Sequence, residues 1–108
     1  MDIKIYFDED DEYSEFTWKN KDYRTGIVVV SRGKQYKVNV YGITRLNQEF
    51  DDCIRDGETF YVEPNLIIVK EVTKQNIIQS VVDICTEFDF LSRLKEEKTD
   101  LSMYVQVY

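Results

Sequence analysis

Alternating apolar and polar positions predict three strands in the first half of the chain. Residues 3–7 carry isoleucine, isoleucine and phenylalanine at every second position, the period of a strand that buries one face. Residues 23–32 predict a second strand with an apolar centre. Arg32–Gly33–Lys34 then supplies a tight turn into a third strand at 35–42. We therefore expect a single strand followed by a β-hairpin.

After residue 42 the apolar residues change to a helical spacing. They recur every three or four positions up to residue 54, which predicts a helix whose other face is polar. Gly57 follows this pattern and suits the left-handed conformation that ends many helices. The predicted core-facing side of the helix consists of Ile43, Leu46, Phe50 and Ile54, with Cys53 beside them.

The second half of the chain predicts three further strands and two helices. Residues 59–62 form a short apolar run, and the longer run at 66–72 favours a central strand covered on both faces. Thr73 is suited to cap a helix, which we expect to break and restart near residue 89. Residues 101–107 alternate again and predict the last strand.

This order of elements, βββαββααβ, predicts an α+β fold. We expect a mixed, mainly antiparallel sheet of five to six strands with two to three helices on one face. The 108 residues, 43% hydrophobic and 14% aromatic, suffice for one core, so residues 1–108 are expected to form a single domain. The expected core residues share the helical stripes and the central strand: Ile43, Leu46, Phe50, Ile54, Leu66, Ile68, Ile77, Val81, Ile84, Phe88 and Leu91.

Charged residues are arranged in blocks within a chain of net charge -7. Residues 1–15 hold seven acids and one lysine, and residues 46–72 hold seven acids and two bases. The block between them, 16–45, holds seven bases and one acid. Six carboxylates within residues 8–15 repel one another and predict a solvated loop. The acidic balance disfavours nucleic acid and favours a basic protein partner.

Several classes of chemistry are disfavoured by what the sequence lacks. The chain has no histidine, which removes the commonest general base, the Ser–His and Cys–His pairs and the usual zinc ligands. Its four glycines do not form a phosphate-binding or dinucleotide-binding motif. Cys53 and Cys85 have no neighbouring cysteine, so we expect reduced, buried thiols. We therefore expect no catalytic residue, no cofactor and no metal.

The hydropathy of the chain predicts a cytoplasmic protein. Its longest apolar runs, 27–30 and 66–69, are far shorter than the roughly 20 residues that span a bilayer. Residues 2–8 alternate in polarity and lack the apolar run of a signal peptide. Neither membrane insertion nor export by that route is expected, and the protein is expected to be a monomer or a weak homodimer.

Two acidic segments and a pair of tyrosines are the candidates for partner contact. The acids lie in the predicted N-terminal loop and on the polar face of the first predicted helix. The tyrosines share one face of the last strand, and tyrosine is enriched at the energetic centres of protein interfaces. The predicted partner-binding residues are Asp8, Glu9, Asp10, Asp11, Glu12, Glu49, Asp51, Asp52, Asp56, Tyr104 and Tyr108.

The order of core positions in the last two-thirds of the chain is similar to that of a known family. These positions are, in order, Tyr36-Lys-Val-Asn-Val-Tyr-Gly-Ile-Thr-Arg-Leu, Phe50, Glu63-Pro-Asn-Leu-Ile-Ile-Val-Lys, Thr73, Ile77, Ile78 and Phe90-Leu. Over residues 36–94 the chain resembles small immunity proteins of bacterial polymorphic toxin systems. The resemblance implies an acidic, cytoplasmic α+β domain that neutralises a cognate toxin by binding to its surface. It leaves the N-terminal third unexplained.

A second interpretation of the sequence stays open. A small ligand-binding domain, or a histidine-free enzyme that uses carboxylates or tyrosines, would need a pocket with convergent polar groups. Many pairs of acids are present, and the sequence singles out none of them. A deep pocket would favour this interpretation, whereas exposed acidic and aromatic patches would favour a binding protein.

Overall fold

The computed structural model describes residues 2–8, 12–87 and 89–108, with the backbone alone for 12–14. Within these ranges the chain forms five strands and three α-helices, with short 3₁₀ turns at Leu91–Arg93 and Leu101–Met103. The elements are, in order, β1 (Ile3–Phe7), α1 (Glu12–Lys21), β2 (Tyr23–Ser31), β3 (Lys34–Tyr41), α2 (Ile43–Arg55), β4 (Leu66–Ile68), α3 (Lys74–Glu87) and β5 (Val105–Gln106).

The strands form one mixed sheet in the order β4-β3-β2-β1-β5. Only β3 and β4 pair in parallel, and the other neighbours are antiparallel. The β2–β3 hairpin turns through Arg32 and Gly33, whose φ angles are +53° and +76°, the left-handed pair that matches the twist of the strands. The predicted α+β fold with a mixed, mainly antiparallel sheet is confirmed.

The hydrophobic core lies on one face of the sheet. Alternate residues of β1, β2 and β3 face it, and α3 covers them with Ile77, Val81 and Cys85. Helix α1 adds Trp18, whose ring packs edge-on against Phe7 at 5.4 Å between centroids. Because α3 buries one stripe of its surface, its helical period and its packing agree. Thr73 caps α3 as predicted, accepting a hydrogen bond from the backbone N–H of residue 76.

A buried arginine closes the core at the end of β2. The guanidinium of Arg24 lies over the rings of Phe7 and Trp18, 5.0 and 4.5 Å from their centroids. It forms an ion pair with Asp8, with 2.7 Å between Nη2 and Oδ1. A buried charge requires such a partner, so Asp8 compensates an internal charge.

Several predicted boundaries are wrong. The loop predicted for residues 8–15 is wrong from Glu12 on, where α1 begins and Trp18 packs this helix against the core; residues 9–11 lie outside the described residues. The strand predicted at 66–72 ends at Ile68 and lies at the edge of the sheet; its apolar run is explained by the burial of Ile67, Val69 and Val72. The last strand is shortened to β5 by the preceding 3₁₀ turn, in which Asp100 accepts from the backbone N–H of Ser102.

Two other expected elements differ from the structure. Residues 59–62 belong to no strand in the described part of the chain. The helix expected to restart near residue 89 is only the 3₁₀ turn at Leu91–Arg93. Across the described ranges, no helix combines the length and the apolar character needed to cross a bilayer.

The predicted core is correct for α3 and wrong for α2. Ile77 and Val81 are buried, and Ile84 and Leu91 pack half-buried against the core. Phe88 lies outside the described residues. Cys85 is buried, whereas Cys53 is only half-buried; both are free thiols. The remaining predicted core residues are half-buried or exposed: Leu46 and Leu66 in the first class, and Ile43, Phe50, Ile54 and Ile68 in the second.

Candidate protein-binding surface

The start of α2 is held by a residue distant in sequence. Gly42 precedes the helix in an extended conformation and has no side chain to cap it. Asp22 takes this role: its Oδ2 accepts from the backbone N–H of Arg45 at 3.1 Å, and its carbonyl oxygen accepts from that of Gly42 at 2.9 Å. A Cβ at position 42 would collide with the Asp22 carboxylate. Glycine is therefore required here, and the contact fixes how α2 leaves the sheet.

The side of α2 that faces the sheet is polar. Arg45 lies over the ring of Tyr23 at 4.3 Å and near that of Tyr41 at 5.9 Å from the centroids. It also pairs with Glu49, with 2.6 Å between Nη2 and Oε1. Tyr23 and Tyr41 meet edge to face at 6.3 Å. This side of the helix therefore docks through a cation–π stack and an ion pair.

The apolar stripe of α2 faces outward. Ile43 is 60% exposed, Phe50 40% and Ile54 51%. The half-buried residues of the helix are instead Arg45, Leu46, Glu49 and Cys53. At 100° per residue, the apolar stripe is rotated from them by roughly a third of a turn.

The segment 58–63, here called the strap, returns from the end of α2 toward the sheet. Gly57, with φ +93°, ends the helix, and the backbone N–H of Glu58 donates to the carbonyl of Cys53 at 2.9 Å. Side chains of the strap then alternate, with Tyr61 and Glu63 half-buried on one side. On the other side Phe60 is 61% exposed and Val62 75%.

A carboxylate with two tyrosines fastens the strap. Oε1 of Glu63 accepts from the hydroxyl of Tyr41 at 2.6 Å and from that of Tyr61 at 2.8 Å. Burial, followed by the hydrogen bonds within this group, raises the pKa of Tyr61, and burial and the Glu63 carboxylate raise that of Tyr41. Both phenols therefore stay neutral donors near pH 7, which suits a structural clasp and not proton transfer.

Exposed acids surround this end of the molecule. Residues 43–63 contain six acids and two arginines. Both arginines pair with carboxylates of α2 itself: Arg45 with Glu49, and Arg55 with Asp52 at 3.2 Å. The other acids of the helix and its turn, Asp51, Asp56 and Glu58, are exposed and form no ion pair within the described residues.

The half-buried thiol of Cys53 also responds to these acids. Desolvation, and after it the carboxylates of Glu58 and Asp56, raise the pKa of the Cys53 thiol. Carboxylates disfavour a thiolate because its negative charge would add to theirs. The electrostatic potential around the C-terminal half of α2 is therefore negative.

The acids predicted at the N-terminus have different positions. Asp8 is paired with Arg24, as described above. Glu9, Asp10 and Asp11 lie outside the described residues, and Glu12 is described by its backbone alone, as the first residue of α1. Within the described residues, the acidic surface therefore consists of the acids of α2 and the strap.

The two predicted tyrosines lie away from α2. Tyr104 is half-buried and Tyr108 is 51% exposed, on either side of β5. Strand β5 is separated from β3, which leads into α2, by β1 and β2. Three strand spacings amount to about 14 Å. The structure therefore does not unite these tyrosines with the acids of α2.

A cleft of about 470 Å³ lies at the other end of the β2–β3 hairpin. Its walls mix the basic residues Arg32 and Lys34 with the acidic residues Glu87 and Asp89, and Cys85 also lines it. Burial raises the pKa of the Cys85 thiol, which disfavours a reactive thiolate. No group of three or more potential metal ligands occurs among the residues described. The cleft is the weaker candidate site.

Sequence reasoning located the acids of α2 but missed the strap. Residues 59–62 are predicted as a short strand, and Glu58, Phe60 and Val62 are not among the predicted partner-binding residues. The structure places Phe60 and Val62 outward, which a short apolar run does not indicate. Comparisons with protein-family models, curated proteins and solved structures found no match for this chain.

Proposed function

We propose that this protein is a protein-binding module that engages a basic partner protein through the acidic outer surface of α2. The observation that carries the proposal is the set of uncompensated acids Asp51, Asp56 and Glu58 on one helix and its turn. Solubility requires charged residues on the surface, but it does not require that acids be grouped on one helix and its turn. Acids in one patch attract a basic protein over long range and raise its rate of association.

In its most specific form, the proposal is that the protein is an immunity protein that neutralises a toxin by covering it inside a bacterial cell. The support is the order of core positions over residues 36–94 and the acidity of the chain. An inhibitor of this kind needs no catalytic group, only a surface complementary to its target.

The test is the association rate of the partner as a function of ionic strength. The protein is immobilised, exposed to extract of its source cell at low and at high salt, and the partner released by salt is identified and purified. Its association is then measured with the parent and with Asp51→Lys combined with Asp56→Lys. We expect this variant to associate about tenfold more slowly at low salt and to show a weaker salt dependence.

A second double reversal is the control. Glu96→Lys with Glu97→Lys changes the net charge equally on exposed residues of another segment. Lysine at position 56 also suits the C-terminus of α2, so the first variant is expected to fold. Equal slowing by both variants would show that only net charge matters and would contradict a specific role for α2.

A further inference from the structure

The end of the molecule formed by α2 and the strap has an inverted arrangement of polarity. On the inner side, polar groups outnumber the apolar Leu46 and Cys53: Arg45, Glu49, Tyr61 and Glu63 are half-buried, and Tyr41 is buried. Apolar groups face outward from two adjacent segments: Ile43, Phe50 and Ile54 from α2, and Phe60 and Val62 from the strap.

Folding of the isolated chain does not explain this inversion. Burying charged and hydroxyl groups costs free energy unless they are paired, and here the pairing is incomplete, since Oε2 of Glu63 and Nε of Arg45 are buried without a hydrogen bond. Exposing two phenylalanines and two isoleucines forgoes the gain of burying them. Large exposed apolar side chains in one region, rimmed by polar residues, are typical of a protein interaction site.

The strap and α2 are fixed relative to each other. At the start of the strap, the backbone N–H of Glu58 donates to the carbonyl of Cys53 in α2. Further along, the hydroxyl of Tyr61 lies beside that of Tyr41, whose ring lies near Arg45 at the start of the same helix. The six residues of the strap can span at most about 20 Å, the length of the 13-residue α2, and its two ends contact opposite ends of the helix. The exposed apolar groups of both segments therefore lie at the same end of the molecule, and together they are here called the anchor surface.

Charge determines what can cover the anchor surface. Asp51 lies on the helix, Asp56 at its C-terminus and Glu58 at the start of the strap; all three are exposed, and both arginines of α2 pair with carboxylates of the same helix. An anionic membrane would be repelled by these acids. A second copy of the chain would bring two acidic rims together. The complementary occupant has an apolar centre and a rim of lysine or arginine.

We infer that the anchor surface binds an amphipathic helix of the partner protein, apolar along one side and flanked by basic residues. A helix matches a straight, elongated stripe about 20 Å long, because two helices pack along their apolar ridges. This inference rests on the proposed function: the acids steer the partner, and Phe50, Ile54, Phe60 and Val62 hold it. Apolar anchors act mainly on the dissociation rate, which salt affects little.

The test uses a synthetic peptide as the probe. A labelled peptide of about 18 residues, or five helical turns, carries leucine at helical spacing and lysine elsewhere. A control peptide has the same composition in scrambled order. Binding to the intact protein is measured by fluorescence anisotropy, and the contact region is mapped by amide chemical shifts. We expect the periodic peptide to bind at residues 43–63 at least about tenfold more tightly than the scrambled one.

Variants assign the affinity to the anchor surface. Phe50→Ser with Ile54→Ser is expected to weaken the periodic peptide by about tenfold or more without changing the salt dependence. Phe60→Ser with Val62→Ser does the same from the strap, where no helix is altered. Phe16→Ser on α1 removes a phenylalanine that is 69% exposed elsewhere on the molecule and is expected to leave binding unchanged.

The outcomes separate this inference from the proposed function. Equal binding of both peptides, or no binding of the periodic peptide at millimolar concentration, overturns the inference and leaves the salt-dependent association of the natural partner as a separate test. Sedimentation showing a dimer of the parent that Phe50→Ser abolishes would identify a second copy as the occupant and overturn it as well. If the Asp51→Lys, Asp56→Lys variant associates with the natural partner as fast as the parent while the periodic peptide still binds, the proposed function alone is overturned.

Discussion

Helices α2 and α3 are both amphipathic, but their apolar residues relate differently to the sheet. α3 turns its apolar stripe inward, and Ile77, Val81 and Cys85 are buried. α2 has no buried residue; it turns Arg45 and Glu49 toward the sheet and leaves Phe50 exposed. Periodicity thus identifies a helix and its apolar side, but not what covers that side. In the proposed complex, a helix of the partner protein covers the apolar stripe of α2.

The two regions are also stabilised by different interactions. Around α3, apolar side chains fill the space between helix and sheet. Around α2, the contacts are a cation–π stack, an ion pair and hydrogen bonds to one carboxylate. Truncating a close-packed apolar side chain lowers the free energy of unfolding strongly, whereas each partly exposed polar contact contributes only about 1 kcal/mol to it. Mutations should therefore separate the regions by the size of their effect.

The largest effect is expected from Ile77→Ala in α3. Ile77 is fully buried, and removing its side chain leaves a cavity in the core, so the free energy of unfolding should fall by about 2 to 5 kcal/mol. Phe50→Ala in α2 should cost less than half as much, because Phe50 already contacts water. Urea unfolding of both variants measures this, and equal losses would mean that α2 is packed as α3 is.

An intermediate effect is expected from Glu63→Ala. This change removes the acceptor of the two tyrosine hydroxyls and should lower the free energy of unfolding by about 1 to 3 kcal/mol. Glu58→Ala removes an exposed carboxylate of the same strap and should change stability by about 0.5 kcal/mol or less. Identical unfolding curves for these two variants would show that the clasp does not fasten the strap.

The smallest effect concerns alkaline pH. Tyr41 and Tyr61 have raised pKa values in the folded protein, whereas in the unfolded chain they ionise near the ordinary value of about 10. Folding therefore favours their protonated form, and the stability that this contributes is present below pH 10 and declines as the pH rises above it. Urea midpoints measured from pH 8 to 11 test this. Tyr61→Phe should make the decline shallower, and an unchanged decline would argue against the clasp.

Local signals explain what the sequence predicted well. The β2–β3 hairpin follows from its alternation and from the glycine at its turn, and both are local properties. α3 follows from its stripe and its Thr73 cap. By contrast, the charge repulsion within residues 8–15 predicts a loop, and this prediction is wrong for the start of α1 at residues 12–15. The burial of α1 depends on Trp18 packing against Phe7 of β1, a contact between helix and sheet that no local pattern indicates.

The candidate surface was predictable only in part. The acids of α2 follow the helical period, so their position on its polar side was visible in the sequence. The rotation of the helix was not, because it depends on Asp22 at its start and on Arg45 stacking on Tyr23. These are contacts between residues 22 or 23 positions apart. A strap with its apolar side outward contradicts the usual rule that such side chains point inward.

The position of Trp18 has a spectroscopic consequence. It is the single tryptophan, and it lies in the core beside Phe7 and Arg24, whereas the aromatic residues that hold α2 are tyrosines. Its emission therefore reports on the docking of α1 and is insensitive to a detachment of α2 alone. If α2 opens separately, its amides exchange with solvent under conditions in which tryptophan emission is still native. One intrinsic fluorophore thus distinguishes local opening at the anchor surface from global unfolding.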